Sequence, residues 1–336
     1  MERTPLQSGM HEPQSPAVAA GGCLQSQGAE TSPGALPSDM PIRAIAPWFG
    51  GKRTLAPVIV AELGKHTSFW DVFCGGLSIL FAKPRCAMEV ANDLHRDLFN
   101  LAKVLQDRRL KRELQSRAMR TLFHEAFLAE ARERMIARPA VDQVPDADRA
   151  MDYLVLSWFG RNGQAGLANT ERSARACIRY TPFGGQPGRR WVSVTQSIGA
   201  WARRLSGVMM LNRDGFELME RIYDQPGTAI YCDPPYIKKP DRYVHDFEPE
   251  DHTRLATVLS RFKSARVVVS YYEHPDLAGL YPGWTVVKQT MAKATAHVGR
   301  RGENNSVAHE VMLINGPSYT QETPSQNTLP LLEVEP

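Results

Sequence analysis

Asp233, Pro234, Pro235 and Tyr236 stand together directly after the apolar run Ala229–Cys232. Adjacent prolines end a strand, hold the following turn extended and remove two backbone donors, so nearby carbonyls are left to accept. A carboxylate and a fixed carbonyl can together accept both N–H groups of an exocyclic amine, and the Tyr236 ring can stack on the heterocycle that bears it. A plain proline turn would account for the prolines but not for the acid and the ring beside them.

Three further stretches carry chemistry. In "PWFGGKR" (47–53), Gly50 and Gly51 permit unusual backbone angles and Lys52 brings a positive charge, although a surface turn with a solvated lysine has the same composition. In "DVFCGGLSIL" (71–80), a strand runs into a glycine pair and then a helix, a shape that lets backbone approach a nucleotide-like ligand. The full G-x-G-x-x-G fingerprint is absent, which points to a ligand without a pyrophosphate; a tight strand–helix turn is the alternative. Asp93 in "ANDLHRDLFNL" (91–101) follows that turn at the distance where an acid accepts both hydroxyls of a ribose. A helix N-cap is its other natural use.

These residues need a frame that gathers strand ends. Strand-like runs at 68–73 and 86–93 alternate with helical runs at 54–66, 77–83 and 96–107. The alternation returns with strands at 207–212, 228–233 and 265–272 and helices at 215–223 and 249–262, and "WTVVKQTMA" and "HEVMLIN" read as a closing antiparallel pair. Strand–helix alternation predicts parallel strands with right-handed crossovers, an open α/β sheet. Between the halves, 109–157 reads as helical with a break at Pro145. Residues 160–195 read as an irregular Gly/Arg/Asn/Ser-rich stretch, and helical pattern resumes at 197–207.

The expected organisation is therefore a disordered, Ser/Pro/Gly/Gln-rich segment 1–40, a catalytic α/β domain from 41–109 and 206–316, an inserted module 110–205, and a loose polar tail 317–336. Met40, where the composition turns, is a second candidate start. The chain has 336 residues, 43% hydrophobic and 23% charged, with net charge +4 and pI about 8.8. This mild basicity permits a nucleic-acid partner without demanding one. Five cysteines without a CxxC spacing argue against a disulfide framework or a zinc site and fit a reducing cytosol. No apolar run approaches a membrane span and no secretory signal opens the chain.

In order, "PWFGGKR", "DVFCGGLSIL", "ANDLHRDLFNLAKVL", "IYCDPPY", "FEPEDHTRLATVLSRFKSARVVVSYY" and "HEVMLIN" resemble the motifs of the Dam-like, or D12 class, DNA adenine-N6 methyltransferases, over roughly 42–315. The resemblance implies a Rossmann-like, S-adenosylmethionine-dependent methyltransferase sheet with an inserted, mainly helical DNA-recognition module. It implies S-adenosylmethionine as cofactor, no metal, double-stranded DNA as partner and a cytoplasmic setting, and it is compatible with a cognate restriction enzyme. By position it puts Trp48, Lys52, Phe73, Gly75, Asp93, Asp214 and Asp233 at the cofactor, and Asp233, Pro234 and Tyr236 at the chemistry. The target adenine would be flipped from the duplex. DNA contacts are expected from Arg161, Asn162, Arg172, Arg175, Arg179, Arg189 and Arg190, with Gln164 and Asn169 among them, and from Lys238 beside the proline turn. The basic stretch 293–305 is a further phosphate contact. One position departs from the family: F-x-G-x-G has Leu77 where the second glycine would stand, and Gly76 is the residue expected to compensate. Cytosine N4, an RNA adenine or a protein amide are alternative acceptors, and a DNA binder without catalysis is a further alternative.

Overall fold

The computed structural model describes residues 40–48, 50–138, 145–160, 175–178, 185–237, 247–292 and 307–321. Its centre is a seven-stranded sheet in the order β3-β2-β1-β4-β5-β7-β6. The strands are β1 (Ser68–Asp71), β2 (Met88–Asn92), β3 (Met209–Leu211), β4 (Thr228–Cys232), β5 (Arg266–Tyr272), β6 (Thr285–Ala292) and β7 (Val307–Ile314). The first five are mutually parallel; β7 runs antiparallel to both β5 and β6. The chain moves from β1 outward to β2 and β3 on one side, and β4 and β5 extend the sheet on the other. The strand order thus reverses between β1 and β4, the place where open α/β sheets bind ligands.

The apolar strands follow from burial on both faces. Ala229, Tyr231 and Val268 face one apolar cluster, whereas Ile230, Cys232, Val267 and Val269 face another. The first cluster holds α1 (Ala56–Leu63), α2 (Ser78–Ala82), α3 (Arg96–Gln106), α4 (Arg108–Arg120), α5 (Glu125–Ala137), α6 (Ala147–Phe159) and α7 (Pro187–Leu205). The second packs α8 (Gly215–Glu220), α9 (Pro249–Ser260) and α10 (Leu277–Leu280). Among the described residues no helix is long and apolar enough to cross a membrane.

Several boundaries differ from expectation. The helical stretch after 109 is three helices, and His124, whose side chain accepts from the Ala126 N–H, starts the second of them. α7 begins at Pro187, ten residues before the expected resumption at 197. Proline suits the first helical turn, and the Gln186 side chain caps it by accepting from Arg189 N–H. Arg189 and Arg190 therefore sit in a helical turn rather than in the irregular stretch. The expected disorder of 1–40 lies outside the described residues except for Met40, which is buried. After Pro317, the tail was expected to be loose, yet Ser318, Tyr319 and Thr320 are hydrogen-bonded to Glu62 on α1. The rest of that tail, from 322, lies outside the described residues.

Leu77 is resolved in an unexpected way. Gly76 does not supply the left-handed geometry; Leu77 itself adopts φ 65°, as no other described residue apart from glycine does. Gly76 serves a different need, since a Cβ there would lie 2.5 Å from the Ala46 carbonyl oxygen. Left-handed backbone costs a non-glycine residue roughly 1–2 kcal/mol, whereas truncating a buried leucine to alanine costs roughly 2–5 kcal/mol. Leu77 is 0% exposed, so burial outweighs strain. Leu77→Gly and Leu77→Ala should both destabilise the fold. Contrary to the usual ranking, the glycine variant should be the more stable of the two by about 1 kcal/mol, because it alone relieves the strain. Urea unfolding of both variants checks this.

Candidate active site

The site is built at the carboxyl ends of β1, β2 and β4. Asp71 pairs with Ala91 on β2 and with Tyr231 on β4, so Asp93 and Asp233 each lie two residues beyond its row. A cavity opens over these ends. It is bordered by Trp48, Gly50–Lys52, the 71–76 turn, Asn92–His95, Arg213–Phe216, Tyr231, Asp233–Tyr236, Phe247, Asp251 and Arg254.

Lys52 is the centre of the catalytic side. It is 3% exposed, and its ammonium lies 2.9 Å from each Asp233 carboxylate oxygen. The same ammonium donates to the Gly50 carbonyl at 2.6 Å, stands 3.8 Å from a Glu310 oxygen and lies 4.8 Å from the Tyr236 ring centre. The glycine turn that precedes α1 thus aims a buried cation at the acid that ends β4. Tyr236 is buried and meets Tyr272 edge to face at 4.7 Å. Pro234 follows Asp233 at the cavity wall.

On the other side, Gly75 has φ 44°, and a Cβ on it would come within 2.9 Å of the Trp48 indole. This close approach requires glycine. The Gly75 N–H donates to Asp93 Oδ2 and the His95 N–H to Asp93 Oδ1, both at 2.9 Å. Asp93 is therefore held by the turn on one side and by the start of α3 on the other, while each oxygen keeps a second lone pair for a ligand. The helix N-cap role considered for Asp93 falls instead to His95, whose Nδ1 accepts from Leu98 N–H. Trp48 lies edge-on to His95 with ring centres 5.3 Å apart. Asp214 caps α8, its Oδ1 accepting from Phe216 and Glu217 N–H. Phe73 packs so close to Gly215 that a Cβ there would lie 2.6 Å from its ring.

All seven residues assigned to the cofactor, and all three assigned to the chemistry, line this one cavity. The DNA-contact candidates are spread differently. Arg175 is exposed, Arg189 is exposed and Arg190 is half-buried at the start of α7. Arg161, Asn162, Arg172, Arg179, Lys238, Gln164, Asn169 and the stretch 293–305 lie outside the described residues. Among the described residues no group of three or more His, Cys, Asp or Glu side chains is placed to hold a metal ion.

Two acids of the site carried no signal that singled them out in the sequence. Glu310 stood in a quoted strand, and only the pairing of β7 with β5 brings it to Lys52. Asp71 stood one residue before "VFCGG" as an ordinary strand end. In the structure it is 1% exposed, and burial first, then the Asp233 and Asp93 charges, push its carboxyl well above the usual range against the opposite pull of Lys83.

The comparisons with known proteins agree with this geometry. Residues 48–282 match the D12 class N6 adenine-specific DNA methyltransferase family. The chain is 27% identical over 305 residues to a DNA N-6-adenine-methyltransferase of Escherichia phage P1, an alignment covering 86% of this chain and 38% of that protein. It is 24% identical over 293 residues to the Retron Ec67 DNA adenine methylase of Escherichia coli, covering 81% of this chain and 91% of that protein. The chain thus spans well under half of the phage relative and nearly all of the retron one. Since the family match extends over more than half of its length and takes in every cavity-lining motif from Trp48 to Arg254, the chain belongs to the D12 class N6 adenine-specific DNA methyltransferase family.

Proposed function

We propose that this protein methylates the N6 amine of adenine in double-stranded DNA, with S-adenosylmethionine as donor and the target base turned out of the helix. The observation that carries the proposal is the Lys52–Asp233 pair. It fixes a carboxylate beside the proline turn, in the lining of a cavity that Gly75 and Asp93 also border.

The residues present fit the donor. Gly75 gives the close backbone approach, and Asp93 is pre-oriented to accept from ribose hydroxyls. Phe73, Phe216 and Asp214 border the same cavity and suit a purine. When bound, S-adenosylmethionine supplies a methyl group on a positively charged sulfur, already activated for transfer.

The protein's part is positioning and electrostatics. The N6 lone pair of adenine is delocalised into the ring and is a poor nucleophile. Asp233 and the Pro234 carbonyl, accepting the two N–H groups, would favour positive charge on N6 and aim its lone pair. Lys52 prevents the carboxylate from turning away, and Tyr236 offers an aromatic wall to the base. The stretch 110–205 would read the DNA, with Arg175, Arg189 and Arg190 meeting phosphate or base edges.

Incubation with tritiated S-adenosylmethionine and unmethylated duplex DNA, followed by nucleoside analysis, tests the proposal. Label in N6-methyl-2′-deoxyadenosine is expected. Label in N4-methylcytosine, or in RNA or protein but not DNA, would overturn it.

A further inference from the structure

The Lys52 ammonium stands between two carboxylates. Asp233 holds it with both oxygens at 2.9 Å, and Glu310 Oε2 lies 3.8 Å away. The second contact is too long for a hydrogen bond but close enough for strong attraction between charges. Water screens it little, since the Lys52 and Glu310 side chains are 2% and 13% exposed. Of the three residues, Lys52 and Asp233 border the cavity and Glu310 does not. Any effect of Glu310 on a substrate must therefore pass through its neighbours.

The sheet gives Glu310 two such neighbours. β7 lies between β5 and β6, and its register sets Glu310 opposite Tyr272 on β5 and Gln289 on β6. Directly opposed residues share one face of a sheet. Tyr272 in turn meets the Tyr236 ring edge to face at 4.7 Å. Glu310 thus stands one step behind both the acid and the ring of the proline turn, through Lys52 and Tyr272.

The charges give this arrangement a use. As the N6 lone pair takes the methyl group and the C–S electrons stay with sulfur, positive charge moves to N6, until one N6 proton passes to water. A Lys52–Asp233 pair alone is neutral and meets that charge with none of its own. With Glu310 the trio carries a net negative charge, so Asp233 can be held in place without being neutralised. We propose that Glu310 is a positioning residue for methyl transfer. It balances the Lys52 charge, so that the ammonium orients Asp233 while the carboxylate stays available to the N6 N–H groups and to the charge that builds on N6. The inference rests on the reading of this cavity as the methyl-transfer site. It requires the charge of Glu310 rather than its size.

Two variants of opposite character test it. Glu310→Gln keeps the size and removes the charge; Glu310→Asp keeps the charge and shortens the side chain. Single-turnover transfer from tritiated S-adenosylmethionine to duplex DNA should fall about ten- to hundredfold in the Gln variant. The Asp variant should keep more of the rate than Gln does. Affinities for S-adenosylmethionine and for DNA, measured at equilibrium, should stay close to those of wild type in both. A Gln variant as fast as wild type, or faster than Asp, overturns the proposal, because a packing role is one that Gln fills better. So does a loss that appears in the affinities rather than in the rate. Should the Gln variant bind no S-adenosylmethionine, Glu310 serves folding and the proposal falls. Wild-type label in N4-methylcytosine would overturn the adenine reading alone, since the order of the two variants still decides Glu310. A wild type that transfers no methyl group overturns the reading of the cavity itself.

Discussion

Asp233→Ala should lower methyl transfer to DNA by about 10²–10³-fold or more, the loss that follows removal of one preorganised group from a polar active site. Binding of S-adenosylmethionine should survive in part, because Trp48, Gly75 and Asp93 are untouched although Asp233 is itself one of the residues assigned to the cofactor. A complication is built into the site. Lys52 is almost fully buried, and its next carboxylate, Glu310, is 3.8 Å away. Removing Asp233 leaves that ammonium poorly matched, and an uncompensated buried charge is destabilising. Asp233→Asn keeps the size and one acceptor oxygen, so it should fold and bind cofactor yet remain severely impaired. Single-turnover transfer with tritiated cofactor, beside an equilibrium binding measurement, distinguishes the cases. Full activity in either variant would remove Asp233 from the chemistry.

The largest effect on stability is expected at Glu62, a fully buried carboxylate on α1. It accepts from Ser318 Oγ at 2.6 Å, from the Tyr319 and Thr320 N–H groups at 2.9 and 3.1 Å, and from Arg266 on β5 at 3.0 Å. The Arg266 guanidinium in turn lies 4.0 Å from the Tyr319 ring centre. Glu62 thereby clasps α1, the strand β5 and the chain beyond β7, and α1 is the helix that follows Lys52. Glu62→Ala should cost about 3–5 kcal/mol, the range for breaking a buried ion pair by removing one partner. Denaturant unfolding at neutral pH measures it.

Glu62 also has a pH signature. Burial by itself pushes the carboxyl up, but the hydrogen bonds from Ser318, Thr320 and the two backbone N–H groups outweigh it, and the pKa falls below its usual 4.5. The folded state thus holds the proton less tightly than the unfolded chain. The stabilisation is fully present above the unfolded pKa and is lost as pH falls through the lower folded one. Glu62→Gln should flatten the acid limb of the stability–pH curve below about pH 4.5. A limb as steep as that of wild type would show that other carboxylates govern it.

Much of the fold could be read from local pattern. The strands β4 and β5 announce themselves as apolar runs because both sheet faces are buried, so Ala229–Cys232 and Val267–Val269 show no polar alternation. Gly64 ended α1 as expected, with φ 63°, since a left-handed stop favours glycine. The start of α7 was missed because Gly, Pro and Arg around 185–190 suggest a loop, whereas Pro187 and Gln186 are a helix start once tertiary contacts bury Trp191 and Val194.

The chain by itself determined the chemistry available: a carboxylate and a ring around two prolines, a lysine after two glycines, and an acid after the second strand. Each of these is a short-range property, written in adjacent residues. Only the tertiary structure decided which groups act on one another. Lys52 reaches Asp233 across 181 positions, and the Lys83 and Arg204 cations meet over the Glu89 carboxylate at 2.6 and 2.7 Å to tie α7 to the sheet. It also decided that Asp71 ends a central strand as a buried acid with an unmatched oxygen. Burial and partner distance depend on what the folded chain lays alongside a residue, and neither is encoded in that residue's immediate neighbours.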